Sequence, residues 1–234
     1  MTRLKNPNLD ILIRTVERLG ALSDEMVFLG GCATGLLITD TAAPPIRMTK
    51  DVDAIVHVTS LIDYYKLSDK LRAVGFKEDI SDGAPLCRWV VDDLILDVMP
   101  TDESILGFGN KWYQEAIQHA EPVSINENIR INMVTAPYFL VTKLEAFEGR
   151  GHGDYLMSHD MEDIIAVLDG RDEVVDELKC VDIKLRTEIA QQFEALLVDP
   201  RFVDAISGHM PTDTAGQQRV GRINNIIKEI SKLS

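Results

Sequence analysis

Every strand-like run in this 234-residue chain lies before Pro137, and the segments after it read as helix. Few folds accept that division, because a sheet buries its apolar face against neighbouring layers while a helical tail must form its own core. Short apolar runs bounded by turn residues, Glu25–Leu29, Asp51–His57, Leu86–Val91 and Leu94–Met99, read as strands, with Asp92-Asp93 as a tight hairpin between the last two. Val123–Ile125 and Ile129–Met133 read as a further short pair. Between them, Asn8–Leu22 (with Asn8 as the cap), Cys32–Thr39 and Thr59–Ala73 carry helical spacing. Pro44-Pro45 makes 42–48 a loop. Past Pro137, Tyr138–Glu148, His159–Leu168, Asp182–Leu197, Arg201–Ile206 and Gln217–Leu233 all read as helix. The expected class is α/β (α+β): a mixed sheet flanked by helices over 1–135, then an all-helical part over 136–234.

The balance of 24 basic against 38 acidic side chains, a formal charge of −14, argues against sequence-independent clamping of nucleic acid, which needs a broad basic surface. The acidity concentrates in residues 151–200, with 13 acidic and 4 basic groups, much of it reading as a solvated face. Residues 201–234 are slightly basic, and Arg219, Arg222 and Lys228 could contribute to a local basic face. Apolar runs fall far short of the roughly 20 residues that span a bilayer, so no membrane is expected. Cys32, Cys87 and Cys180 have no metal-ligand spacing, and the opening residues lack the apolar stretch of a secretion signal. Both fit a cytoplasmic setting.

Chemistry concentrates in three places. Asp51 and Asp53 flank one valine, so on a strand both carboxylates share a face. Side by side they repel unless a cation joins them, and a hard ion such as Mg²⁺ or Mn²⁺ takes such oxygens while leaving room for phosphate. Two solvated carboxylates at a strand start are the plainer alternative. Asp97 interrupts the apolar run Leu94-Ile-Leu-Asp-Val-Met99, and an aspartate there needs a partner. If its strand lies beside Asp51–His57, three carboxylates could hold two metals around a phosphoryl transfer. Gly30-Gly31, between a strand and a helix, permits close backbone approach to an anion, although a turn alone can require glycine. His152 and His159 read as loop histidines rather than a zinc site. Trp89, Trp112 and Tyr113 read as packing residues.

Taken together, Leu29-Gly-Gly-Cys-Ala-Thr-Gly, Arg47-Met-Thr-Lys-Asp-Val-Asp and Leu96-Asp-Val resemble the nucleotidyltransferase superfamily typified by DNA polymerase β. More narrowly, Arg47, Thr49, Asp51 and Asp53 are similar to the Arg-x-Thr-x-Asp-x-Asp pattern of the abortive-infection AbiEii-like toxins. Lys143, Arg150, Asp160 and Asp163 are similar to their downstream lysine, arginine and acidic turn. The resemblance covers about residues 25–170 and departs at Gly31, where the superfamily often has serine. It implies a nucleotidyltransferase domain over 1–135 that binds a nucleoside triphosphate on Asp51 and Asp53 through Mg²⁺ or Mn²⁺. Asp97 would be a third metal ligand that helps deprotonate or position the acceptor hydroxyl. Gly30, Gly31, Arg47, Thr49, Lys143 and Arg150 would contact the nucleotide, with Asp160 facing the site to orient Lys143 or Arg150. It further implies an RNA acceptor such as tRNA, or a protein, and a partner antitoxin. The alternative is a non-catalytic nucleotide-binding or toxin–antitoxin module on the same fold.

Overall fold

The computed structural model describes residues 6–234. The first five residues, the start of the segment read above as lacking a secretion signal, lie outside the described residues. Helix α1 (Leu9–Leu19) buries Leu12, Thr15, Val16 and Leu19 along one stripe. It stops earlier than its apolar pattern suggests, because Gly20 turns to φ +55° and a 3-10 turn (Gly20–Glu25) follows. Strand β1 (Met26–Leu29) is buried along its whole length and passes directly into α2 (Gly30–Leu37). Then come β2 (Asp51–Val56) and α3 (Leu61–Ala73), whose cap Ser60 accepts from the Asp63 N–H. Strands β3 (Lys77–Glu78), β4 (Arg88–Val91) and β5 (Leu94–Pro100) follow, with Asp92 at φ +52° in the β4–β5 hairpin. Helix α4 (Tyr113–Gln118) precedes β6 (Glu121–Ser124) and β7 (Arg130–Met133).

These strands form one mixed seven-stranded sheet in the order β3-β4-β5-β2-β1-β7-β6. At its centre β2 pairs antiparallel with β1 and parallel with β5, and β1 pairs parallel with β7. Beyond Pro137, which sits in the first turn of α5 where its missing N–H costs nothing, the chain is helical: α5 (Ala136–Arg150), α6 (His159–Gly170), α7 (Val174–Cys180), α8 (Ile183–Val198), α9 (Pro200–Gly208) and α10 (Thr214–Ile230). Aspartates cap three of them: Asp182, Asp199 and Asp213 accept from the N–H groups of Lys184, Arg201 and Gly216. Trp89 and Trp112 are buried, as packing residues should be.

Two compact units divide the described chain. The α/β unit comprises residues 6–35 and 47–135, and the helical unit comprises 36–46 and 136–234. Within the helical unit, Phe139, Ile164, Leu168, Ile189, Phe193 and Ile227 have no exposed surface. Segment 36–46 is held there by backbone and side chains together. The N–H groups of Thr39 and Asp40 both donate to the Gly170 carbonyl at 2.9 Å, and Arg171 Nη1 donates to the Leu37 carbonyl at 2.7 Å. Arg219 bridges Asp40 (2.5 Å) and the buried Asp169 (2.7 Å), while Arg222 pairs with Asp172. The two arginines considered for a basic face are therefore engaged within this unit. Among the described residues, no helix is long and apolar enough to cross a membrane.

Candidate active site

Strand register assembles the site in the α/β unit. Asp51 and Asp53 alternate on β2, so they share a face. Asp97 of β5 lies directly beside Asp53 in the parallel ladder, and Arg88 of β4 lies directly opposite Asp97 in the antiparallel one. Directly paired residues project to the same side, so three carboxylates and one guanidinium occupy one face of the sheet. Leu29, the last residue of β1, pairs with Asp53. That register brings the glycine turn against the β2 carboxylate.

Gly30 has φ +73°, and a Cβ there would fall 1.9 Å from Asp53 Oδ2 and 2.8 Å from Asp53 Cβ. Both the backbone angle and the space exclude a side chain. The requirement at Gly31 is milder: a Cβ would meet Arg47 Nη2 at 2.6 Å and Thr49 Cβ at 3.3 Å. Arg47 and Thr49 thus run beside the turn, and Thr49 Oγ1 donates to Asp51 Oδ1 at 2.6 Å.

Asn8 holds these pieces together, and sequence reasoning missed it. As the α1 cap it makes no capping side-chain hydrogen bond. Its Nδ2 instead donates to the carbonyls of Gly31 and Arg47, each at 3.1 Å, and its Oδ1 accepts the Thr49 N–H at 3.0 Å. One buried amide therefore fixes the turn to the approach of β2. An asparagine at a helix start is read as a cap, which hid this role.

Arg88 was also missed. Its Nε and Nη2 donate to Asp97 Oδ1 and Oδ2 at 2.8 and 2.7 Å, a bidentate pair. The same Nη2 reaches Asp51 Oδ2 at 3.1 Å. The Asp97 side chain is only 9% exposed and that of Arg88 22%, so the pair is largely shielded from water. Hydrogen bonding to Asp97 holds the guanidinium pKa above its ordinary value despite burial. The partner that an aspartate in this apolar strand demands is thus an arginine nine residues away. Burial, with the negative charges of Asp97 and Asp53 adding to it, pushes the Cys87 thiol up to about 12. That thiol stays protonated at neutral pH and is no nucleophile.

Both oxygens of Asp51 are engaged, Oδ1 by the Thr49 hydroxyl and Oδ2 by Arg88. Asp51 and Asp53 share a face beside a turn that only glycine fills, and Mg²⁺ is commonly held by one or two carboxylates plus phosphate oxygens. Asp97, expected as a third ligand and as the group that deprotonates the acceptor, has both oxygens bound to Arg88. Among the described residues, no group of three or more His, Cys, Asp or Glu side chains is arranged to hold a metal.

The remaining expected residues cluster in the helical unit. Lys143 Nζ lies 3.0 Å from Asp160 Oδ1 and 2.7 Å from Asp163 Oδ2. Arg150 Nε and Nη2 donate to Asp160 Oδ2 and Oδ1 at 2.9 and 2.8 Å. Seven residues apart on α5, the two cations converge on one carboxylate in the first turn of α6, where the helix dipole favours it. Burial raises the Asp160 pKa, but the hydrogen bond from Arg150 and the charge of Lys143 outweigh it and hold the carboxyl below its usual range. Lys143 is buried, whereas the Arg150 side chain is 71% exposed.

No protein-family model matches this chain, and no curated protein matches it. Seven solved chains do. JHP933 from Helicobacter pylori is 11% identical, with a TM-score of 0.49 over 99% of this chain and 94% of its own. A second H. pylori structure, provisionally named a nucleotidyltransferase, is 11% identical, with a TM-score of 0.46 over 99% and 96%.

Proposed function

We propose that this chain is a nucleotidyltransferase that moves a nucleoside monophosphate from a triphosphate to an acceptor with the help of a divalent metal ion. The observation that carries the reading is the register of β1 and β2, which sets the Asp53 carboxylate against the positive-φ Gly30. A strand aspartate pressed on a glycine turn at a helix start suits phosphate bound between backbone N–H groups and a metal. Asp51 and Asp53 would hold Mg²⁺ or Mn²⁺, which would neutralise the triphosphate charge. Thr49 orients Asp51 through its hydroxyl, and Asn8 fixes the Gly31 and Arg47 carbonyls. With no side chain at Gly30 or Gly31, a phosphate can approach the backbone. In the helical unit, Lys143 is committed to Asp160 and Asp163 and Arg150 to Asp160, with Arg150 the more exposed of the two cations.

The finer assignment is an AbiEii-like toxin acting on RNA such as tRNA, or on a protein, and countered by an antitoxin. It rests on the pattern Arg47, Thr49, Asp51 and Asp53 and on Lys143, Arg150 and Asp160. Engagement of Arg219 and Arg222 in ion pairs turns the choice of acceptor toward a protein. Three free cysteines, two of them buried, suit a reducing cytoplasm.

The test is to incubate the purified protein with each labelled nucleoside triphosphate, Mg²⁺, and total RNA or cell lysate. Label should move to one acceptor class, and Asp51→Ala and Asp53→Ala should each abolish transfer while keeping the fold. Near-normal turnover by either variant refutes the reading. Nucleotide bound without transfer supports the non-catalytic alternative.

A further inference from the structure

The geometry points to Arg88 as an internal cation that opposes metal loading: a divalent ion binds Asp51 in competition with the Arg88 guanidinium. The inference rests on the metal-binding part of the function proposed above and adds a displacement step to it.

Every carboxylate oxygen of Asp51 and Asp97 already accepts a hydrogen bond. Asp51 Oδ1 accepts from the Thr49 hydroxyl at 2.6 Å and Asp51 Oδ2 from Arg88 Nη2 at 3.1 Å. Asp97 Oδ1 and Oδ2 accept from Arg88 Nε and Nη2 at 2.8 and 2.7 Å. Asp53, level with Asp97 on the adjoining strand, has an interaction partner as well. The two donors on Asp51 act differently on an incoming ion. The Thr49 hydroxyl is neutral and leaves the carboxylate its full charge. The guanidinium is permanently positive and cancels the charge that would draw the ion to either oxygen. Mg²⁺ lies about 2.1 Å from its ligand oxygens, so an ion on Asp51 Oδ2 would stand at most about 5 Å from Arg88 Nη2. Like charges that close repel strongly where water is scarce, and the Arg88 side chain is only 22% exposed. Register keeps Arg88 in place, since it is the residue of β4 directly opposite Asp97. Its bidentate grip on that mostly buried carboxylate is the firmest kind arginine makes. The single, longer contact to Asp51 is the one an ion would have to break. Arg88 is thus a positioning residue that acts on the metal through Asp51.

Mn²⁺ alone, added to the whole protein and followed by the electron paramagnetic resonance signal of the free ion, tests this without turnover. The main variant is Arg88→Gln/Asp97→Asn, which removes the guanidinium with its buried partner and leaves the net charge unchanged. It should bind Mn²⁺ at least about tenfold more tightly than wild type, and adding Asp51→Asn should abolish the gain. A merely structural role for Arg88 would not tighten metal binding. The same charge-neutral exchange at an exposed ion pair, Arg14→Ala/Asp93→Asn, should change the affinity by less than about twofold. Tryptophan fluorescence melting shows whether each variant is folded, and Arg88→Gln alone, with Asp97 intact, should show a gain of at least the same size. Binding no tighter than wild type in the folded double variant would overturn the inference. So would weaker binding, which would make Asp97 a ligand, a gain that survives Asp51→Asn, or no bound Mn²⁺ in any of these proteins. Loss of fold in both Arg88 variants would make the arginine a structural cation and overturn it too. Tighter Mn²⁺ binding without Arg88 in a protein that transfers no nucleotide would sink the proposed activity and leave the competition standing. Nucleotide transfer by a wild type whose Mn²⁺ affinity does not depend on Arg88 would do the reverse.

Discussion

Replacing Gly30 by alanine tests the close approach on which the site depends. The new methyl would start 1.9 Å from Asp53 Oδ2. Reaching ordinary contact at 3.4 Å demands that the carboxylate retreat by about 1.5 Å. The φ of +73° adds roughly 1–2 kcal/mol for a residue bearing a Cβ. Displacing Asp53 brings the expected loss to about 2–3 kcal/mol. At about 2–4 °C per kcal/mol, the α/β unit should melt about 4–12 °C lower. Both tryptophans of the chain, Trp89 and Trp112, lie in that unit, so their fluorescence reports its unfolding separately from the helices. Mn²⁺ affinity should fall at least about tenfold as one of the two ligands moves, a change of about 1.4 kcal/mol. Gly31→Ala is the control: its methyl meets the far end of the Arg47 side chain rather than a backbone or strand carboxylate, so stability should change by less than about 1 kcal/mol. If Gly30→Ala melts and binds Mn²⁺ like wild type, the contact between turn and carboxylate does not govern the site.

Other outcomes follow from the helical unit. Lys143→Met removes the buried cation held between Asp160 and Asp163 and should cost roughly 3–5 kcal/mol in chemical denaturation followed by circular dichroism; a loss below about 1 kcal/mol would contradict the pairing. Because the folded Asp160 pKa lies below its ordinary 3.8, its contribution is complete above the unfolded value and fades as the pH falls through the folded one. The denaturation midpoint should therefore drop between about pH 6 and about pH 3, and Arg150→Gln should shrink that drop. Arg219→Met frees Asp40 and Asp169 from their shared cation and should speed proteolytic cleavage within 36–46 by at least about tenfold, measured by mass spectrometry; unchanged cleavage would show that the backbone bonds to Gly170 suffice.

Periodicity revealed most of the architecture because the long elements carry a single buried stripe or an unbroken apolar run. What it missed had no such pattern. Both residues of β3 are exposed, α4 buries only Ala116, and α7 is two turns long with Val174 and Leu178 inside. At the site, Asp51, Asp53 and Gly30 were legible because each breaks a local rule, by paired like charges or by glycine between elements. Asp97 stood out for the same reason, but its partner did not. Arg88 sits at the start of β4 like an ordinary strand-end charge, and only the β4–β5 register joins it to Asp97. Asn8 was hidden more thoroughly, since its partners lie 23 and 39 residues away. Lys143 and Arg150 were legible as one face of a helix, and their convergence on Asp160 needed the fold.

The tether of segment 36–46 has a consequence for biogenesis. Asp40 is 179 residues upstream of Arg219, and Leu37 is 134 upstream of Arg171. At about 5–20 residues per second of translation, Asp40 waits roughly 9–36 s for its partner to be made. Both strands flanking this segment are meanwhile free to pair. The nascent chain can therefore close its sheet while carrying an unsatisfied loop, and the helices complete themselves last by receiving a strip synthesised near the beginning.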